Sequence, residues 1–414
     1  MNGKFYYECT NCKATYKAEK IMYLCPVCAK ENHPDQPPKG VLKVNYDYNG
    51  IRNRFPRIDF FKSLKDENFL SLLPIQAMKN WPILRIGNTP LYKFDQFDSS
   101  EITFDLYLKD DSQNPTFSFK DRASALVSAW AKENKIETII TASTGNAGSS
   151  LAGICASQGQ QSYIFVPASA PLAKLTQIVM YGATLVPVNG SYDQAFDLSI
   201  KASEIFGFYN RNTAYNPLTI EGKKTVSFEI YDQLNHHIPD YIFVPTGDGV
   251  ILSGVYKGFE DLMKLGIIGK MPIIVAVQSE GSNNLIANIS SDHFSSSPSK
   301  TIADSISVDI PRNFYMSVNY LKTYHGEWVT VSDAEILQGS VQLSRSTGIF
   351  SEPAAAAAFA GMMKYRKTKK ILSGSKVVVL LTGSGLKDLK SVQSSIHLPA
   401  PIEPDIQALK QIFN

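Results

Sequence analysis

The chain has no run of roughly 18 apolar residues, so nothing in it reads as a membrane span. Its start, MNGKFYYECTNC, holds charge and cysteine where an export signal needs an apolar stretch, so a cytoplasmic location is expected. Lysine and arginine are mostly scattered rather than blocked and the net charge is only +3, which argues against nucleic acid as a partner. No fixed-period repeat is present. Cysteine is nearly missing beyond residue 28, where only Cys155 remains of the five. That residue lies in GSSLAGICASQG and is expected to be a small core side chain.

What is present is enough chain for more than one core. At 414 residues, two lobes and a small appendage are expected. Residues 1–40 form a separate four-cysteine module closed by ENHPDQPPKG, and residues 41–103 form a linking segment. Residues 104–400 are the main region, with a smaller lobe inserted at roughly 140–220, and 401–414 a tail. Within the main region the apolar runs FDLYLK, ETIITA, QSYIFVP, ATLVPV, DYIFVP, PIIVAV and KVVVLLT alternate with stretches of helical length. This pattern predicts an α/β fold whose largely parallel sheet is covered on both faces. Helices are expected from Phe119, Asn146 and Val250 onward, and SSDHFSSSPSK (290–300) reads as a mobile loop.

Cys9-x-x-Cys12 and Cys25-x-x-Cys28 are two knuckles whose spacing suits one tetrahedral zinc ion. Four protein ligands leave no open position, so the metal is structural and staples a module too small to hold itself together. The alternative is a ribbon that folds with reduced thiols.

Four segments fall at predicted strand ends, where open α/β sheets bind ligands. In Asn114-Pro-Thr-Phe-Ser-Phe-Lys120-Asp-Arg122, Lys120 opens a helix. Desolvation and the positive helix end both favour the neutral amine that a Schiff base requires. Ser143 and Thr144, with Gly145 and Asn146, offer hydroxyls and amides suited to a carboxylate, although a plain capped turn would look the same. Thr246, Gly247, Asp248, Gly249 and Val250 form a glycine turn before a helix, suited to a phosphate if Asp248 points away. Thr382, in LTGSGLK, places a neutral hydroxyl where it could face a ring nitrogen.

With these segments in hand, the chain resembles the fold-type-II pyridoxal-phosphate enzymes, and within them the threonine synthases. The resemblance runs from about Gly40 to Asp388 through IGNTPL, NPTFSFKDR, ASTGNAG, AKLTQIVMYGA, EGKKT, PTGDGVILSGVYKGF, SEPAAAAAFAG and LTGSGLKD. It implies a two-lobed, tryptophan synthase β-like fold with pyridoxal 5′-phosphate between the lobes and Lys120 as Schiff-base lysine. Asn146 would stand beside the ring hydroxyl, the 246–250 loop on the phosphate and Thr382 at the ring nitrogen. A neutral partner there favours elimination and replacement over transamination. The implied reaction turns O-phosphohomoserine and water into threonine and phosphate. The implied partner is a small amino-acid substrate, and the assembly a monomer or homodimer. One departure stands out: Thr219 occupies the position where such enzymes carry an arginine for the substrate phosphate. Lys223, in place of a glutamine, would restore positive charge. Related chemistries, such as cysteate synthesis or threonine and serine ammonia-lyase activity, remain alternatives.

Overall fold

A computed structural model describes residues 4–18, 21–56, 58–97, 100–393, 396 and 398–413. Its strands are β1 (Phe5–Cys9), β2 (Thr15–Lys17), β3 (Leu42–Tyr46), β4 (Leu91–Phe97), β5 (Ser100–Asp110), β6 (Thr138–Ala142) and β7 (Gln161–Pro167). They continue with β8 (Thr184–Val188), β9 (Tyr209–Asn210), β10 (Tyr241–Pro245), β11 (Ile273–Ser279), β12 (Glu327–Val331) and β13 (Lys376–Leu381). Each of the seven apolar runs read from the sequence is one of these strands.

Three sheets result. The largest has the order β12-β11-β10-β13-β5-β4 and is parallel except for the edge strand β4. A second sheet, β8-β7-β6-β9, is wholly parallel. In the large sheet the period of two divides each strand between two cores. Ile242, Val244, Ile274, Ala276, Val378 and Leu380 enter one core. Phe243, Val275, Val277, Val377, Val379 and Leu381 enter the other, against the alanine-rich helix Pro353–Lys367. Runs that are apolar at every position are therefore what a sheet buried on both faces requires.

The cysteine module forms the third, antiparallel sheet, β2-β1-β3. Its third strand lies past residue 40, so the module's sheet reaches into the segment read as a linker. Beyond β3, a buried charge cluster ties the module to the main body. Tyr46 donates to Glu221 at 2.5 Å and Tyr48 to Asp261 at 2.6 Å, while Lys224 bridges both carboxylates at 2.5 and 2.7 Å. Tyr23, between the two knuckles, accepts a hydrogen bond from the Asn210 amide at 2.8 Å and stacks on Tyr215 at 4.5 Å.

The segment 290–300 has no regular structure, as expected, but its backbone is pinned rather than free. Asn288 bonds Ser295, and Asn284 bonds Ser297, through both amide atoms. Phe294 packs edge-on against Phe314. The polar side chains doing this lie before the loop, which is why its own polarity suggested mobility. Among the described residues no helix is long and apolar enough to cross a membrane.

Candidate functional site

Lys120 is the first residue of the helix Lys120–Glu133, which follows the end of β5 by way of a short turn. Backbone bonds stitch three loops together around it. Phe119 N donates to Thr382 O, Ser384 N to Phe117 O, and Glu352 N to Gly383 O. Phe117 takes a positive φ of 66° within this seam, and its ring is exposed. Two residues past Lys120, Arg122 is buried between two carboxylates. It meets Asp111 at 2.6 and 2.9 Å and Glu229 at 2.6 and 2.8 Å. Lys109 joins Glu229 at 2.7 Å, and Thr89 of IGNTPL donates to Asp111 at 2.6 Å. A fully satisfied network of this kind holds the helix start rigidly, and Lys120 with it.

Lys120 itself is half-buried. Burial, with the neighbouring Arg211 guanidinium, lowers its pKa to about 8, against the opposing pull of Glu352 and Asp248. Asn146, at the start of the helix Asn146–Gln158, donates its amide to both oxygens of Glu352 at 2.9 Å. Burial raises the Glu352 carboxyl above its ordinary value. Gly383 borders the same carboxylate so closely that a Cβ would come within 2.5 Å of Glu352 Oε1. Ser143 and Thr144 are half-buried at the end of β6, where Ser143 Oγ accepts from Gly145 N at 3.2 Å.

The 246–250 turn leads from β10 into the helix Val250–Lys264. Thr246 is buried and donates its hydroxyl to Val244 O at 3.0 Å. Gly247 packs on the Ile306 backbone. Gly249 takes a φ of 86°, and a side chain there would overlap Ser317. Asp248 accepts through a carboxylate oxygen from Arg312 N at 3.1 Å. Burial raises its carboxyl as well. A broad surface hollow lined by Tyr241, Trp328 and Lys370 lies at the amino ends of β10 and β12, opposite this turn. The residues predicted from sequence thus converge at the carboxyl ends of the strands.

Two contacts cross between the sheets. Lys387 Nζ reaches Thr116 O at 3.1 Å, Ser149 Oγ at 2.9 Å and Gln177 Oε1 at 2.7 Å. Arg312 pairs with Asp193 at 2.5 Å and lies 3.9 Å over the Phe196 ring.

Two residues here were not singled out from the sequence. Glu352 lies within SEPAAAAAFAG, whose acidic residue just ahead of a Pro-Ala helix start was its only signal. Arg211 follows β9 in YNRNTAYN, and a lone basic residue in a polar run gave none. Arg211 is fully buried, and burial takes its pKa down to about 10. Lys223 is fully buried too, and held well below its ordinary value by burial, Arg211 and Lys120.

The residues fit a pyridoxal cofactor. There is a lysine of weakened basicity, a glycine turn with free amides at a helix start, and an amide fixed beside it. They also fit a metal in the N-terminal module. The Sγ atoms of Cys9, Cys12, Cys25 and Cys28 lie within 4.8 Å of one another, with Cys9–Cys28 and Cys12–Cys25 each 3.8 Å apart. Four thiolates around zinc at 2.3 Å would be about 3.8 Å apart. Cys155 is buried in the core, and burial raises its thiol pKa.

Comparison with known proteins agrees. Residues 83–383 match the family model described as pyridoxal-phosphate dependent enzyme. Threonine synthase of Methanocaldococcus jannaschii is 32% identical over 98% of both chains. That of Methanosarcina acetivorans is also 32% identical over 98% of both. The threonine synthase of a Bacillus species is 36% identical over 83% of this chain and 96% of its own. Among solved structures, threonine deaminase isoform 2 from Solanum lycopersicum superposes with a TM-score of 0.64 at 19% identity, covering 87% of this chain and 88% of its own. Diaminopropionate ammonia lyase from Escherichia coli gives 0.65 at 17%, covering 78% and 91%. These two establish the fold. The chain belongs to the fold-type-II pyridoxal-phosphate dependent enzymes, in the family of the threonine synthases.

Proposed function

We propose that the protein is a threonine synthase, converting O-phosphohomoserine and water to threonine and phosphate with pyridoxal 5′-phosphate as cofactor. The observation that carries this is end-to-end similarity to threonine synthases, centred on a lysine whose pKa lies near 8. When bound, the cofactor supplies stabilisation of negative charge at the substrate Cα.

The chain's own residues do the rest. Lys120 Nζ would hold the cofactor, and its amine would move protons at the substrate Cα and Cβ. An amine of pKa about 8 can both accept and return a proton near neutrality. Asn146, fixed by Glu352, presents its amide to the ring hydroxyl. The amides of Gly247, Gly249 and Val250, at a helix N-terminus, hold the cofactor phosphate, while Thr246 and Asp248 shape the turn. Thr382 would offer the ring nitrogen a neutral partner, which favours loss of phosphate from the γ-carbon and addition of water at the β-carbon. Ser143 and Thr144 receive the substrate carboxylate, and Lys223 attracts the leaving phosphate. Zinc held by Cys9, Cys12, Cys25 and Cys28 is structural. We place the enzyme in the cytoplasm, as a monomer or homodimer acting on a small amino acid, with neither nucleic acid nor membrane as partner.

The test is turnover of O-phosphohomoserine, following phosphate and threonine together. Equal release of both is expected. No turnover by protein shown to carry its cofactor would overturn the assignment.

A further inference from the structure

Two buried basic side chains beside Lys120 each carry a nitrogen with no acceptor among the described residues. Arg211 donates Nε to Ser124 Oγ at 3.1 Å and Nη1 to Thr213 Oγ1 at 2.9 Å, but its Nη2 meets no acceptor. Lys223 Nζ meets none at all. Both side chains are fully buried. The next residue shows the usual remedy, since Lys224 is held by the carboxylates of Glu221 and Asp261. A buried donor left open in this way is costly unless something arrives to fill it.

The nearby acids do not fill it. Glu352 is engaged by Asn146, and Asp248 accepts from the Arg312 amide. An arriving anion would satisfy both open donors at once. On the proposed function, on which this inference rests, the cofactor phosphate has the 246–250 turn and the substrate carboxylate has Ser143 and Thr144. The anion still unassigned is the substrate's distal phosphate. Thr219 offers it no free donor, because its hydroxyl already donates to Asn216 O at 2.7 Å. Arg211 approaches instead from the end of β9, and Lys223 from the helix Leu218–Lys223.

We propose that Arg211 and Lys223 together form the pocket for the distal phosphate of a phosphorylated amino acid. Arg211 is thereby a specificity-determining residue that takes over from the arginine missing at position 219. The planar guanidinium offers directed donors and the ammonium a point charge, a pairing suited to a phosphate dianion.

The experiment compares wild type, Arg211→Gln and Lys223→Met, all loaded with cofactor. It measures the Kd for inorganic phosphate by calorimetry, the KM for O-phosphohomoserine, the cofactor Kd and the Tm. Loss of one charge-assisted hydrogen bond should raise the phosphate Kd and the KM between about tenfold and a hundredfold, with cofactor affinity unchanged. Lys223→Met replaces a buried amine that bonds nothing with an apolar side chain, so its Tm should rise while phosphate binding falls. A purely structural lysine would move Tm the other way. Unchanged phosphate affinity in both variants overturns the pocket, as does loss of cofactor affinity in place of phosphate affinity. Wild type that binds phosphate through these residues yet leaves O-phosphohomoserine untouched would keep the pocket and sink the threonine synthase assignment. Turnover unaffected by either substitution would do the reverse.

Discussion

The lowered basicity of Lys120 can be tested on the apoprotein. At its ordinary value of 10.5, about one amine in a thousand would be neutral at pH 7.5; with a pKa of about 8, about a quarter is. Only the neutral amine attacks a carbonyl, so burial increases the reactive fraction roughly 200-fold. The assay is stopped-flow capture of pyridoxal phosphate across roughly pH 6 to 10, with Lys120→Ala as the blank. Below about pH 8 the rate should climb close to tenfold per unit, and above it should level off. The neighbours set the sign of two shifts. Arg211→Gln removes a cation that disfavours the ammonium, so its inflection should move to higher pH. Glu352→Gln removes an anion that favours it, so its inflection should move lower. A rate still rising at about pH 10, or both variants shifting the same way, would refute the account.

Three further outcomes are expected. Gly383→Ala places a Cβ against Glu352, pushes that carboxylate off Asn146, and should cut turnover while costing about 1–3 kcal/mol in urea unfolding of the apoprotein; unaltered turnover would mean that Glu352 does not position the amide. Arg122→Met leaves buried Asp111 without a cation and Glu229 with Lys109 alone, and should cost about 3–5 kcal/mol in urea unfolding. A loss under about 1 kcal/mol would show that the network is idle. Native mass spectrometry of protein purified without chelator should show about one zinc per chain, lost in Cys9→Ser and Cys28→Ser. Wild type that is metal-free and equally stable would remove zinc from the account.

How much was legible depended on where each residue lies. Strands buried on both faces, such as KVVVLL of β13, are uninterrupted apolar runs and stand out. Edge strands do not. In β4, LYKFDQF is largely exposed, so its residues look like a linker, and EWVTV of β12 is similarly half-open. β9 has two residues, too few to form any pattern. The glycine turn and the lysine could be found because their chemistry depends on local sequence. Glu352 and Arg211 act through contacts made across sheets, with Asn146 and Ser124, and no local signal encodes a partner so distant. The pinned loop at 290–300 failed for a related reason, its order being supplied by Asn284 and Asn288 rather than by its own residues.

The hydrogen bond from Asn210 to Tyr23 bears on how separable the pieces of this enzyme are. Asn210 immediately precedes Arg211, and Tyr215, on which Tyr23 stacks, lies on the path from Arg211 to Lys223. Cutting the chain before residue 41 would strip this brace from the far side of the substrate site while leaving Lys120 and the glycine turn intact. Weaker phosphate binding is the expected result in a protein shortened in this way. The small module is better regarded as a brace on the segment that carries Arg211 than as a detachable tag.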